Sequence, residues 1–167
     1  NGTRFIPPLT PFPPMVLIDT TSRCNLACSH CPNSVLSGDV GFWGDLDRDL
    51  YFKIIDEVAA EAPETLVRPF NSGEPLLRKD IAEMIGYAKR KGIHTVSITT
   101  NGTVLNQRVR AALIQNGLDH MEVSIDAVSA GTYQKIRRSD LFDKVVENTL
   151  AYIRESKAHD VRRKVSV

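Results

Sequence analysis

Short apolar runs alternate along the chain with longer segments in which apolar residues recur every three or four positions. The short runs predict five strands, because they are brief and several are rich in β-branched residues. They cover residues 15–20, 65–70, 94–99, 121–125 and 164–167. The periodic segments predict four amphipathic helices. These cover residues 47–62, 79–91, 106–115 and 141–156.

The order of these elements predicts the fold class. Strand and helix alternate with short connections, which is typical of right-handed βαβ units and a parallel sheet. The pattern predicts an α/β protein, either an open doubly wound sheet or a portion of a (β/α) barrel. In both architectures functional groups gather at the carboxyl ends of the strands. The proline-rich residues 1–14 predict an extended arm, and residues 15–167 one core domain.

Composition narrows the possible partners. The 167 residues are 42% hydrophobic and 25% charged, with a net charge of +1. This is the mix of an ordinary globular protein, and it predicts no nucleic-acid partner and no electrostatic binding to a membrane. No apolar stretch approaches the ~20 residues that a membrane-spanning helix needs.

Three cysteines lie in the loop after the first predicted strand. Cys24, Cys28 and Cys31 have the spacing CxxxCxxC, and there is no fourth cysteine in the sequence. An odd number so close together is a poor disulfide framework. Thiolates suit iron–sulfur clusters and zinc, and three of them would leave one iron of a cubane open to another ligand. Reduced thiols without an export signal predict a cytoplasmic protein.

Other interpretations of this loop stay open at the level of the residues. The three cysteines could hold zinc together with His30 or another histidine, as part of a non-catalytic zinc- or cluster-binding module. They could also be buried thiols without a ligand. The chain could then be a plain α/β scaffold that binds a nucleotide at its strand ends.

Residues 24–31 (CNLACSHC) after a first strand resemble the signature of radical S-adenosylmethionine (radical SAM) enzymes. The resemblance runs from about residue 15 to residue 167. It implies a [4Fe-4S] cluster on the three cysteines and S-adenosyl-L-methionine as the second cofactor. It also implies a partial (β/α) barrel of parallel strands. The family's barrel usually has six βα units, and five of them are present here. We therefore expect a chain that is truncated relative to the whole enzyme.

Later motifs follow the order of the same family. Residues 71–75 (NSGEP) resemble its Gly-Gly-Glu-Pro segment, which contacts the amino group of the methionine moiety. The resemblance assigns Gly73 to close backbone approach and Glu74 to that ammonium. Residues 99–102 (TTNG) resemble its Thr-Asn-Gly segment and assign Thr100 and Asn101 to cofactor binding, although Asn-Gly is also a common turn.

Four further residues complete the expected cofactor site. Ser124 and Asp126 resemble the family's Ser-Ile-Asp segment, and two positions apart on a strand they would face the same way. Asp126 could instead cap the next helix. Arg137 matches an arginine that meets the methionine carboxylate, but Arg138 could serve as well. His30 takes a position near the adenine, or is an exposed loop histidine.

The resemblance also implies a reaction. The enzyme would cleave S-adenosylmethionine reductively to a 5′-deoxyadenosyl radical, which abstracts hydrogen from a small-molecule or peptide substrate. An electron donor such as flavodoxin or ferredoxin would be required. Residues 45–47, 71–76 and 124–127 are similar to the branch with a C-terminal SPASM or twitch extension, whose members act on peptides, sugars or cyclitols.

Overall fold

The computed structural model describes residues 11–36, 44–160 and 162–167. In these residues the chain forms five strands and six α-helices. The strands are β1 Met15–Leu17, β2 Leu66–Arg68, β3 Ser97–Thr100, β4 His120–Val123 and β5 Lys164–Ser166. The helices are α1 Pro32–Leu36, α2 Arg48–Glu61, α3 Ile81–Arg90, α4 Gln107–Gln115, α5 Ala130–Arg137 and α6 Phe142–His159. A 3₁₀ turn covers Pro75–Leu77.

The strands are parallel and follow one another in chain order. β1 pairs with β2, and β3, β4 and β5 form a second ladder. A parallel bridge between Val67 and Val96 joins the two ladders, and the Val67 amide donates to the Thr95 carbonyl at 3.1 Å. This confirms the prediction of a parallel α/β sheet with the order of a partial barrel.

The core lies between the sheet and the helices that connect the strands. Val67, Ile98 and Met121 point from the sheet into this layer and are fully buried. Tyr51, Tyr133 and Tyr152 bring the largest side chains to it from α2, α5 and α6. The apolar stripes that predicted the helices are buried here only in part, because Leu50 of α2 and Leu150 of α6 are 46% and 49% exposed.

Local chemistry explains where the predicted helices begin. Asp47 caps α2 by accepting from the Leu50 amide, and Asn106 caps α4 by accepting from the Val109 amide. Gly92, with φ of +95°, follows the end of α3, where glycine readily adopts the left-handed conformation that ends a helix. The four predicted helices are therefore present with ends that shift by at most three residues.

Three elements were not predicted. They are the helix α1, the 3₁₀ turn at Pro75–Leu77 and the helix α5. All are short, with at most eight residues, so their apolar positions do not complete a recognisable stripe. The predicted arm falls partly on residues 1–10, which lie outside the described residues, and the predicted domain boundary stays a prediction.

The sheet face opposite the core is polar. Arg68 on β2, Thr99 on β3 and Glu122 on β4 alternate with the buried positions and lie side by side. Arg68 Nη2 donates to Thr99 Oγ1 at 2.9 Å and lies 3.5 Å from Glu122 Oε2. Parallel sheets are usually apolar on both faces, so this polar face is a distinctive feature of the fold.

Candidate active site

The cysteine loop begins after β1 and leads into α1. Cys24 is exposed, Cys31 is half-buried and Cys28 is 5% exposed. The Ser34 hydroxyl lies 2.8 Å from the Cys28 carbonyl and 2.7 Å from the Cys31 carbonyl, so the first turn of α1 braces the two later cysteines. Although Cys24 is exposed as a residue, partial burial of its sulfur raises the pKa of the thiol, and the nearby Glu74 carboxylate raises it further.

A cavity of about 260 Å³ lies over the carboxyl ends of the strands. Ten of the eleven predicted site residues line it, drawn from the cysteine loop and from the ends of β2, β3, β4 and α5. They are Cys24, Cys28, His30, Cys31, Gly73, Glu74, Thr100, Asn101, Ser124 and Arg137. The eleventh, Asp126, lies beside the cavity and contacts two of its lining residues.

Gly73 lies against the backbone of the cysteine loop. A Cβ atom on this residue would lie 2.1 Å from the Thr21 carbonyl oxygen and 2.7 Å from that of Arg23. The next amide, of Glu74, donates to the same Arg23 carbonyl at 2.7 Å. No side chain fits in this space, so the glycine is required for the approach of β2's end to the loop.

Glu74 is 2% exposed and its carboxylate accepts three hydrogen bonds. Oε1 accepts from the Leu76 amide at 3.0 Å and from the Thr100 hydroxyl at 2.7 Å, and Oε2 accepts from the Asn101 amide at 2.7 Å. Burial raises the pKa of this carboxyl, and the three hydrogen bonds oppose that rise. A carboxylate has about four acceptor positions, so about one remains for a further donor.

Asn101 connects the end of β3 to the cysteine loop. Its side-chain oxygen accepts from the Thr103 amide and hydroxyl, and its Nδ2 donates to Asn25 Oδ1 at 3.0 Å. The same Nδ2 lies 4.0 Å from Cys24 Sγ. Gly102, with φ of +72°, lets the chain turn directly afterwards. The Asn-Gly pair thus makes a turn and also binds the loop.

Arg137 is the last residue of α5 and is 7% exposed. Its Nη1 lies 3.5 Å from Cys28 Sγ, and its Nη2 lies 2.8 Å from Asp126 Oδ2. Arg138 is exposed and has φ of +54°, a left-handed conformation that favours glycine. Of the two arginines that the sequence left open, Arg137 is therefore the one in the site.

Two expectations for Ser124 and Asp126 were wrong, the shared strand and the helix cap. β4 ends at Val123, and Asp126 has φ of +56°, so the two residues do not lie on a strand. Asp126 also does not cap the next helix, because Ser129 caps α5. The turn instead aims the Asp126 carboxylate at Arg137, and His30 Nε2 lies 3.6 Å from it. His30 is more than half exposed.

A sequence model of the Radical SAM superfamily matches residues 18–161. The chain belongs to the radical SAM superfamily. The match covers most of the chain and includes the cysteine loop and each strand end that lines the cavity. It confirms the resemblance that the motifs indicated.

Curated radical SAM relatives share about a third of their residues with this chain. Fe-coproporphyrin III synthase of Methanosarcina barkeri is 35% identical over 115 residues, which is 69% of this chain and 28% of that protein. PqqA peptide cyclase of Granulibacter bethesdensis is 32% identical over 125 residues, which is 74% of this chain and 32% of that protein. The chain thus spans about a third of the length of these relatives.

A solved structure shows the same fold. Streptococcus suis SuiB bound to S-adenosylmethionine aligns with a TM-score of 0.74 and 16% identity, over 92% of this chain and 33% of that chain. This likeness supports the partial-barrel fold of the chain. In the described residues, no helix has both the length and the apolar character to cross a membrane.

The radical SAM site has the chemistry that a [4Fe-4S] cluster requires. Three free thiols share one cavity, and soft thiolate ligands suit iron–sulfur clusters. Guanidinium and amide donors lie within 4.0 Å of two of the sulfurs, where they could stabilise thiolates. Within the described part of the chain, no three Cys, His, Asp or Glu side chains are grouped as ligands of a single metal ion. The comparisons give no support to a zinc-binding module.

Two groups of site residues were missed from the sequence. Asn25 lies between two of the cysteines and donates to Thr103 Oγ1 at 2.8 Å. In the CxxxC motif, Asn25 is one of three residues between two cysteines, and the sequence does not distinguish it from the other two. Phe70 and Thr99 also line the cavity, and both belong to predicted strands. Their position at strand ends was the signal that could have identified them.

Proposed function

We propose that this chain is the core of a radical SAM enzyme that holds a [4Fe-4S] cluster on Cys24, Cys28 and Cys31 and binds S-adenosylmethionine beside it. The observation that carries the proposal is the common cavity. It brings the three thiols together with a buried carboxylate, Glu74, and a buried guanidinium, Arg137. When bound, the cluster supplies one electron that cleaves S-adenosylmethionine to methionine and a 5′-deoxyadenosyl radical.

The residues of the chain orient the cofactor and exclude water. Glu74 is fixed by donors from Thr100 and Asn101, so its remaining acceptor position has a defined direction toward an ammonium group. Gly73 lets the end of β2 pack against the cysteine loop, which holds the neighbouring Glu74 beside that loop. Ser124 offers a hydroxyl to polar groups of the ribose or the substrate, and His30 offers a ring face toward the adenine.

The polar sheet face opposite the core supports the proposal that the substrate is polar. Thr99 belongs both to the cavity lining and to the row of Arg68 and Glu122, so the cavity continues into a charged surface. Such a surface suits a peptide or a small molecule rich in hydroxyl or ionic groups. The names of the relatives refer to a peptide in one case and to a porphyrin in the other. We therefore propose only a chemical class of substrate, a polar peptide or small molecule.

Two further proposals follow from the chemistry of the cluster. A one-electron donor such as flavodoxin or ferredoxin is needed, because the cleavage consumes one electron each time. A reducing compartment such as the cytoplasm is favoured, because the three cysteines are free thiols that oxidation would remove as ligands.

Anaerobic reconstitution with iron and sulfide tests the proposal. The protein should turn brown, contain about four irons per chain, as in a cubane cluster, and release 5′-deoxyadenosine from S-adenosylmethionine with dithionite. The matched control replaces all three cysteines with alanine and should bind no iron. A colourless protein that retains one zinc per chain would overturn the proposal in favour of the zinc-binding module.

A further inference from the structure

We infer that Arg137 is a positioning residue for the cluster, and that it raises the reduction potential by donating to the Cys28 sulfur. This inference rests on the proposed function, because it requires the cluster. It differs from the role that the family resemblance assigns to this arginine, which is contact with the methionine carboxylate.

The contacts of the guanidinium support this inference. Nη1 lies 3.5 Å from Cys28 Sγ, within hydrogen-bond range of a sulfur acceptor. Nη2 is taken by Asp126 Oδ2 at 2.8 Å. Nε is buried and has no hydrogen-bond partner in the described residues. Two of the three nitrogens are therefore already engaged by a thiol and a carboxylate.

The cysteine loop is also tied to α5 at the same point. The Ser29 amide donates to the Ile136 carbonyl at 2.8 Å, so the residue after Cys28 and the residue before Arg137 are bound together. Cys28 and Arg137 are 5% and 7% exposed. A buried pair whose neighbours are joined by a backbone hydrogen bond keeps its geometry, and water does not screen it strongly.

The direction of the effect follows from charge. A cluster that accepts one electron becomes more negative, and hydrogen bonds to its sulfurs and nearby positive charge favour that state. The guanidinium therefore raises the potential. Asp126 opposes it, because its carboxylate offsets the positive charge on Arg137. The two residues should act on the potential with opposite signs.

The test is a dithionite titration of the reconstituted chain, followed by electron paramagnetic resonance without S-adenosylmethionine. We expect Arg137→Met to reduce the ratio of reduced to oxidised cluster about tenfold at a given potential, which is a shift of about 59 mV for a one-electron couple. Arg137→Lys should shift it less, because the charge stays while the planar fork is lost. Asp126→Asn should shift the potential upward.

Arg138→Met is the matched control, because it removes one positive charge from the neighbouring exposed position. It should leave the potential unchanged. A loaded Arg137→Met cluster with the wild-type potential and weakened S-adenosylmethionine binding would overturn the inference alone and favour the carboxylate role. If the wild-type chain takes up no cluster, the proposed function and the inference both fail. If Arg137→Met does not fold, Arg137→Lys and Asp126→Asn test the inference instead. Their reduction potentials should shift downward and upward, respectively, and the opposite directions would overturn it.

Discussion

Gly73 and Glu74 show how two adjacent residues serve one site for different physical reasons. Gly73 is required for space, because a Cβ atom there would overlap the Thr21 carbonyl. Glu74 is required for charge, because its buried carboxylate accepts from both Thr100 and Asn101. The first holds the end of β2 against the cysteine loop and the second holds it against the end of β3.

The space at Gly73 gives a prediction. Gly73→Ala should destabilise the fold by about 3 kcal/mol, since overpacking typically costs ~1–3 kcal/mol and backbone cannot yield easily here. It should also reduce iron uptake, because the loop must move away. Urea denaturation and iron analysis measure both effects.

Gly131→Ala is the control for this substitution. Gly131 lies in α5, and no neighbouring atom lies within 4 Å of the place that a Cβ atom would take, so alanine should be neutral or stabilising by up to about 1 kcal/mol. Equal losses of stability in both variants would contradict the packing argument.

The charge of Glu74 predicts a pH dependence. Burial raises the pKa of this carboxyl in the folded state above the usual 4.5. At a pH between 4.5 and the folded-state pKa, the carboxyl therefore binds a proton when the protein folds. The Glu74 contribution to stability should therefore increase as the pH falls through the folded pKa toward 4.5, and should decrease as the pH rises. Glu74→Gln removes this titration and leaves the Asn101 amide facing an amide, at a cost of about 1–3 kcal/mol at neutral pH.

The measurement is the free energy of unfolding of both proteins from neutral pH down to about pH 5, still above the unfolded glutamate pKa. The wild-type protein should gain stability relative to Glu74→Gln as the pH falls. A constant difference would mean that the pKa of Glu74 is not raised.

At the scale of elements, the long periodic helices were predictable and the short ones were not. α2, α3, α4 and α6 each contribute apolar residues to the buried core, so the sequence pattern reflects part of their packing. α5 has only eight residues and buries Tyr133 and Arg137. Its function in the site, as the carrier of Arg137, does not appear in any periodicity because it depends on one side chain at its end.

The candidate site was predictable for a similar reason. Residues with a motif, such as the cysteines and Glu74, were identified because their spacing and neighbours are distinctive. The pairing of Asp126 with Arg137 was not, because it depends on the positive φ of Asp126, which turns the chain after β4. The sequence pattern placed Asp126 on a strand, although aspartate also tolerates the left-handed conformation of a turn.

One buried arginine connects the elements that precede the site. Arg78 is 6% exposed, and its Nη1 donates to the Thr20 carbonyl at 2.8 Å and to the Leu46 carbonyl at 2.6 Å. It also pairs with Asp80 through two nitrogens, which lowers the pKa of that carboxyl. The 3₁₀ turn after Glu74 thus holds the end of β1 and the approach to α2.

We expect Arg78→Met to destabilise the protein by about 2–3 kcal/mol, because the buried Thr20 carbonyl and the partly buried Leu46 carbonyl lose a charged donor. Arg108→Met on α4 is the control, since Arg108 is exposed and its loss should change stability by less than about 0.5 kcal/mol. Urea denaturation followed by circular dichroism compares the two. A smaller loss for Arg78→Met than for Arg108→Met would exclude the proposed connection.

At the scale of the whole molecule, stability and function occupy different layers. The fully buried apolar side chains lie between the sheet and the helices, with Ile98 and Met121 at the centre. The cysteine loop lies outside this layer, and Cys24 at its start is exposed. The residues at the centre of the core therefore take no part in the site. The cysteine loop is attached to the rest of the molecule through Gly73, Asn101 and Ile136.

This separation predicts how hydrogen exchange responds to the cluster. In the chain without cluster, amides of residues 24–34 should exchange through local opening, much faster than those of β3 and β4, which open only with the whole fold. Reconstitution links Cys24, Cys28 and Cys31 to one rigid group, so it should slow exchange in residues 24–34 at least tenfold, for a gain of about 1.4 kcal/mol. Amides of α4 should change much less, because that helix contacts the core and not the loop. Mass spectrometry of peptides from both forms measures this, and equal slowing in α4 and in residues 24–34 would show that the cluster stabilises the molecule as a single unit instead.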